Sequence, residues 1–231
     1  MTVKAHILVV APHTDDAEFG IAGTVVKWAH EGKNVVYVIC TNGDKGTSDP
    51  NMKISELVRI RQEEQWAAAK VLGVKDVVFL GYHDQGLEDT DGFRKDIVRQ
   101  IRLYQPNTVA TTDPYRHYIW HRDHRITGQV VMDAIYPFAR DHLTYTDQIE
   151  QGLQPHKVKE VLTWGSDDPN YWSDITDTFE TKITALSCHK SQVGGRDSHR
   201  FYEGIKARAA DSAKDQTFKL AEAFHRVEIL M

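Results

Sequence analysis

The chain has 231 residues, a length that suits one large domain spanning 1–231, and its 41% hydrophobic and 26% charged residues are the proportions of an ordinary globular protein. A formal net charge of −5 argues against a nucleic-acid partner, and no apolar run approaches the roughly 20 residues of a membrane helix. Two widely separated cysteines, Cys40 and Cys188, exclude a disulfide framework, and the N-terminus shows no signal-peptide pattern, so the expected location is a reducing cytoplasm.

Along the chain, short apolar runs alternate with longer amphipathic stretches. His6–Ala11 reads as a buried strand, Glu18–His30 as a helix ended at Gly32, and Asn34–Cys40 (NVVYVIC) as a second buried strand holding Cys40. Ser55–Leu72 is the clearest helix, with Ser55 as cap, strong helix formers inside and Gly73 as stop; Trp28 and Trp66 fall at apolar helical positions and are expected in the core. Asp76–Leu80 is a third strand, Gly92–Tyr104 a helix, Asn107–Thr112 a fourth strand, and His124–Tyr136 a helix capped by Asp123. Val158–Trp164 is a further strand, and 139–157 reads as a surface excursion within the same domain.

Repeated β-α-β units of this size predict an α/β, Rossmann-like fold, a mostly parallel sheet with helices on both faces. Ligands in such folds bind beyond the carboxyl ends of the strands. Two polar clusters stand there. His13, Asp15 and Asp16 follow the first strand in APHTDD, and His117, His121, Asp123 and His124 follow the fourth in HYIWHRDH. By itself the first cluster reads equally well as a polar turn capping the next helix or as a metal site, since adjacent acids repel unless a cation compensates. Joined at one sheet edge, the two clusters offer imidazoles and a carboxylate, the ligand types of a catalytic zinc with an open position.

These residues resemble the LmbE-like, or PIG-L, family of zinc-dependent N-acetylglucosaminyl deacetylases. The family's PHPDD motif followed by AE stands here as Pro12-His13-Thr14-Asp15-Asp16-Ala17-Glu18, and its HPDH motif as His121-Arg122-Asp123-His124. TNGD at 41–44, Arg61 and Glu64 with Ala68 and Leu72-Gly73, Asp174-Ile175, Lys182, Ala185-Leu186 and His189-Lys190-Ser191-Gln192 extend the likeness over nearly the whole chain. Thr14 and Arg122 replace the usual prolines, which bears on loop shape rather than on metal-binding atoms.

The resemblance implies an LmbE-like deacetylase fold in which His13, Asp16 and His124 bind Zn2+ and Asp15 is the general base. His121, in its protonated form, would face the substrate carbonyl, with Asp123 holding it cationic; a helix cap is an equally sufficient reason for Asp123. Asp44, Arg61, Asp84 and His189 are the implied substrate-binding residues, although Arg61 and Glu64 also fit an ordinary solvated helix face. The implied partner is a small amino-sugar or glycoconjugate, and the implied assembly a homo-oligomer, trimer or hexamer. The function expected is removal of an N-acetyl group by metal-activated water. Two alternatives stand beside it. One is an amidase of the same fold acting on another amide, such as a thiol conjugate; the other is a nucleotide-binding module. The latter needs a Gly-rich turn after the first strand, whereas the carboxylates of APHTDD would repel a pyrophosphate.

Overall fold

The computed structural model describes residues 4–118, 121–195 and 197–229. In chain order its elements are β1 (Ile7–Ala11), α1 (Asp16–His30), β2 (Val35–Thr41), α2 (Ile54–Leu72), β3 (Asp76–Tyr82), α3 (Asp91–Tyr104), β4 (Thr108–Thr112), α4 (Arg122–Ile135), α5 (Thr146–Glu150), β5 (Glu160–Trp164), β6 (Tyr171–Asp174), α6 (Phe179–Leu186), α7 (Lys190–Val193), α8 (Ser198–Ser212) and β7 (Ala221–Glu228). The strands form one seven-stranded sheet in the order β3-β2-β1-β4-β5-β7-β6. The first five are parallel, and β7 and β6 add antiparallel at one side. This is the mostly parallel α/β fold the sequence predicts.

Alternation along β1 shows why the sheet is covered on both faces. Ile7, Val9 and Ala11 join α1 and α2 in one core through Ile21, Trp28, Ala68 and Leu72. Leu8 and Val10 point the other way, into a core built on Ile97 and Ile101 of α3 and Val130 and Val131 of α4. A strand buried on both faces reads as a continuous apolar run, which is what ILVVA and VVYVIC are.

β1 lies between β2 and β4, so the strand order reverses there, and in open α/β sheets such a switch point opens a crevice for ligands. Gly128 helps bring α4 up to it. A Cβ at this position would lie 2.4 Å from the carbonyl oxygen of Thr112, so only glycine lets α4 approach the end of β4.

Three expectations are corrected. Trp28 is 9% exposed, but Trp66 is 47% exposed, because the buried face of α2 runs through Leu57, Arg61, Gln65, Ala68, Ala69 and Leu72. Helix α1 begins at Asp16 and α4 at Arg122, each two residues before its predicted start. The cap of α4 is His121, whose Nδ1 accepts the Asp123 amide hydrogen at 3.2 Å, and Asp123 lies inside the first turn with its carboxylate free for other partners. Both cysteines are free, Cys40 buried in β2. No helix among the described residues is long and apolar enough to cross a membrane.

Candidate active site

The turn after β1 and the first turn of α4 bring their polar side chains together at the switch point. His13 Nδ1 lies 2.9 Å from Asp16 Oδ2, and His124 Nε2 lies 3.2 Å from that same oxygen. The ring centroids of His13 and His121 are 4.8 Å apart, and those of His121 and His124 5.4 Å. Each of the three imidazoles offers a nitrogen within 4.8 Å of the others.

The other edge of the His13 ring meets two more acids. Its Nε2 is 3.1 Å from Asp123 Oδ2 and 3.1 Å from Asp84 Oδ1, giving a second, fully buried grouping of His13, Asp84 and Asp123. Asp123 is already engaged, because its carboxylate accepts the amide hydrogens of Gln85 at 2.6 Å and Leu87 at 3.3 Å. The carboxylate of Asp123 therefore orients His13 and the loop after β3, not His121 as its position in the motif suggests. A carboxylate on the far nitrogen of an imidazole is the usual arrangement behind a metal ligand, fixing tautomer and ring orientation.

The acids outnumber the cations that face them. Burial by itself would lower the pKa of His13, but Asp123, Asp16 and Asp84 outweigh it and raise it from 6.5 to about 12. Burial likewise opposes ionisation of Asp16, yet His124 and His13 hold its carboxyl well below the ordinary range. Burial and then Asp16 raise Asp15 to about 8, against the pull of His189 and Arg61. His121 is lowered, first by burial and then by His13 and His124, against Asp123 and Asp84. Its Nδ1 accepts a backbone hydrogen bond, so the neutral ring carries its proton on Nε2 and presents a donor.

Asp15 and Asp16 diverge through a backbone device. Asp15 sits at φ 81°, ψ −26°, the left-handed region that residues bearing a Cβ seldom occupy, and its side chain caps nothing although it is the N-cap of α1. Asp16 is thereby turned toward His13 and His124, while the Asp15 carboxylate is left unspent beside them.

The implied substrate residues are placed unequally. Arg61 is 4% exposed and threads beneath the loop after β2, its Nη1 donating to Gly43 O at 2.9 Å and lying 3.8 Å from Asp84 Oδ2. Gly43, at φ 65°, has room only for hydrogen, since a Cβ would stand 2.8 Å from Arg61 Cδ. Asp44 braces two loops, accepting from Asp84 N at 2.9 Å and lying 2.6 Å from His83 Nδ1. Asp84 faces His13. His189 is fully buried, its Nε2 3.2 Å from Glu18 Oε2, and so lies behind the site and not on its wall. A cleft of about 370 Å³ opens beside Asp16 and His124, bordered by Phe19, Arg116, Trp164 and Arg208.

The sequence reading gave no role to Gln65 or Glu18, which pair at 2.9 Å inside the protein. The available signal was positional: Arg61 and Gln65 lie four apart on the α2 face that continues with Ala68 and Leu72, but spacing alone does not mark two polar residues as buried.

Residues 8–135, more than half of the chain, match the PIG-L family model, described as GlcNAc-PI de-N-acetylase. The chain belongs to the PIG-L family. Among its relatives is the diacetylchitobiose deacetylase of Thermococcus kodakarensis, 34% identical over 219 residues that cover 87% of this chain and 82% of that protein. The probable N-acetyl-alpha-D-glucosaminyl L-malate deacetylase 2 of Bacillus anthracis is 28% identical over 203 residues, 83% of each chain. The solved structure of N,N'-diacetylchitobiose deacetylase from Pyrococcus horikoshii superposes with a TM-score of 0.92 at 30% identity, covering 97% of this chain and 84% of that one. As a PIG-L protein whose relatives are named deacetylases, the chain is an enzyme of the deacetylase type.

Proposed function

We propose that this PIG-L protein is a zinc-dependent hydrolase that removes the N-acetyl group of a small N-acetylglucosamine-containing molecule. The observation that carries the reading is that His13 Nδ1 and His124 Nε2 both approach Asp16 Oδ2, at 2.9 and 3.2 Å, with Asp15, whose side chain caps nothing, the next residue in the same turn. The donor set fits a zinc ion: two imidazole nitrogens and a carboxylate oxygen, in a site where acids exceed cations. His13, Asp16 and His124 would hold it. The grouping of His13, Asp84 and Asp123 fits less well, because the Asp123 oxygens already accept two backbone amides. When bound, such an ion polarises a carbonyl and lowers the pKa of water to about 7.

The chain's own residues then divide the remaining work. Asp15, raised to about 8, is a base matched to neutral pH and takes the proton from the attacking water. His121 donates from Nε2 to the oxygen on which negative charge develops, as a neutral donor and not as the cation expected from its motif. Asp123 and Asp84 fix the ring of His13, and Arg61 holds the loop after β2 that carries Asp44, which in turn braces the Asp84 loop toward the sugar side of the crevice. A trimer or hexamer of single-domain chains acting in the cytoplasm completes the reading, and sedimentation of the purified protein checks the assembly.

The test is metal content together with acetate release from N-acetylglucosamine, diacetylchitobiose, and N-acetylglucosaminyl conjugates of malate and inositol. About one zinc per chain and turnover of at least one amino sugar are expected. Asp15→Asn should retain the metal while kcat falls by about 10²–10⁴-fold. Hydrolysis confined to amides outside this class would replace the reading.

A further inference from the structure

The left-handed conformation of Asp15 has a specific support. Its amide N–H donates to Gln65 Oε1 at 3.2 Å. Because a backbone N–H can only donate, the oxygen of the Gln65 carboxamide must face Asp15 and its NH2 must face the other way. There it donates to Glu18 Oε1 at 2.9 Å, and Glu18 Oε2 stands 3.2 Å from His189 Nε2. Gln65, Glu18 and His189 are all fully buried. The chain of contacts thus runs from the turn after α6, through α1 and α2, to the backbone of one residue in the turn after β1. Both polar ends of the buried Gln65 carboxamide are satisfied in this way, whereas Glu18 Oε2 and His189 Nε2 meet as an ion-pair contact without a hydrogen bond. An apolar group at 65 would fill the space but leave the Asp15 amide without its acceptor.

We propose that Gln65, backed by Glu18 and His189, is a positioning residue that holds Asp15 in the left-handed conformation and so aims its carboxylate at the water to be deprotonated. The proposal rests on Asp15 being the base. The backbone of Asp15 also decides where Asp16 points, but Asp16 has two imidazole partners of its own, and Asp15 has no side-chain hydrogen bond to hold it. Loss of the Gln65 acceptor is therefore felt first at Asp15. It is a loss of aim, not of metal.

The experiment uses the zinc-loaded enzyme and diacetylchitobiose, with Asp15→Asn as control. Gln65→Leu should keep its zinc and its KM while kcat falls roughly 10- to 100-fold, the cost of about 1 Å of misplacement. A crystal structure of that variant should show Asp15 outside the left-handed region. Gln65→Glu alone sets two carboxylates against each other and should also lose turnover. The exchange Glu18→Gln with Gln65→Glu should recover most of it, because Gln at 18 can donate to Glu at 65, which still accepts from Asp15. A role in stability alone predicts a lowered Tm, an unchanged kcat per folded molecule and no recovery specific to the exchange, and that result overturns the proposal. Should Gln65→Leu fail to fold, the isosteric Gln65→Glu and the exchange decide the matter. Wild-type kcat in Gln65→Leu with an inactive Asp15→Asn removes the positioning role and leaves the base in place; an active Asp15→Asn removes both. If diacetylchitobiose is not turned over, the conformation of Asp15 in zinc-loaded Gln65→Leu decides, and an unchanged φ overturns the proposal.

Discussion

Two regions of this protein bury charge, and they do so to opposite ends. Behind α1, Lys182 and Glu222 form an ion pair of 2.7 Å with side chains 5% and 4% exposed. Every lone pair that matters is used: Glu222 also accepts from Gly23 N, Thr24 N and Thr24 Oγ1, and Lys182 donates to Phe19 O. Arg102 is treated likewise, its guanidinium donating to the carbonyls of Phe138, Ala139, Asp141, Thr144 and Tyr145 and so tying down the 138–148 excursion. At the ends of β1 and β4 the balance is different. Asp16, Asp84 and Asp123 crowd around imidazoles, and the neighbouring carboxylate of Asp15 is held out of the capping role its position offers. Burial of charge does not distinguish a working site from a structural one. Excess of one sign, held open toward a cleft, does.

The largest effect that would break this comparison is loss of the ligand set. His13→Ala, Asp16→Ala or His124→Ala should each lower zinc occupancy and abolish acetate release, read by metal analysis and a product assay on the same sample. Full occupancy with near-normal turnover in any one of them would take that residue out of the set. Next comes the structural side. Glu222→Gln leaves the Lys182 charge buried without its counter-ion and should cost about 3–5 kcal/mol, which for a chain of this size lowers Tm by at least roughly 6 °C, with zinc content unchanged. A melt within a degree of wild type would show that the pair is not a structural centre.

His121→Ala sharpens the comparison within the site. Loss of one donor to the developing oxyanion should lower kcat by about 10²–10³-fold with zinc retained. With the ring as a neutral donor, as proposed, the alkaline side of the pH–rate profile should keep its shape; disappearance of an alkaline limb in the variant would restore the cationic role. The smallest effect concerns His189. Burial would lower its pKa, but Glu18, Asp15 and Glu64 prevail and raise it above 6.5. A group whose folded pKa is raised contributes stability that is fully present below the unfolded value, about 6.5, and is lost as pH rises through the folded value. The gap in Tm between wild type and His189→Gln should therefore be widest near pH 5.5 and narrow on the alkaline side. A gap that widens with pH would mean that His189 is neutral in the fold.

Much of this was legible in the residues. The continuous apolar run of ILVVA, the helical spacing in Ser55–Leu72 and the glycine stops are local signals, because propensity and turn chemistry act over a few residues. They were enough to place His13, Asp15 and Asp16 after one strand and His121, Asp123 and His124 after another, and parallel β-α-β order brought both groups to one edge. The antiparallel β7 and β6 carried no such signal, for the pairing of β7 with β5 and of β6 with β7 is set by contacts across roughly 50 to 70 residues of chain. The exposure of Trp66 was equally hidden, since periodicity cannot know that the buried face of α2 is completed by an arginine and a glutamine with partners elsewhere.

What the sequence by itself determined, then, is the run of strands from β1 to β5 with the helices α1 to α4 between them, and the kinds of side chain delivered to the crevice, because both follow from spacing along the chain. What only the tertiary structure decided is which atom meets which. That Asp123 meets His13 and not His121, that His121 caps α4, and that Gln65 accepts from the amide of Asp15 are all facts about directions in space. Hydrogen bonds and desolvation act over a few ångströms between groups that lie, for His13 and Asp123, 110 residues apart in sequence, so their pairing exists only once the chain has closed on itself.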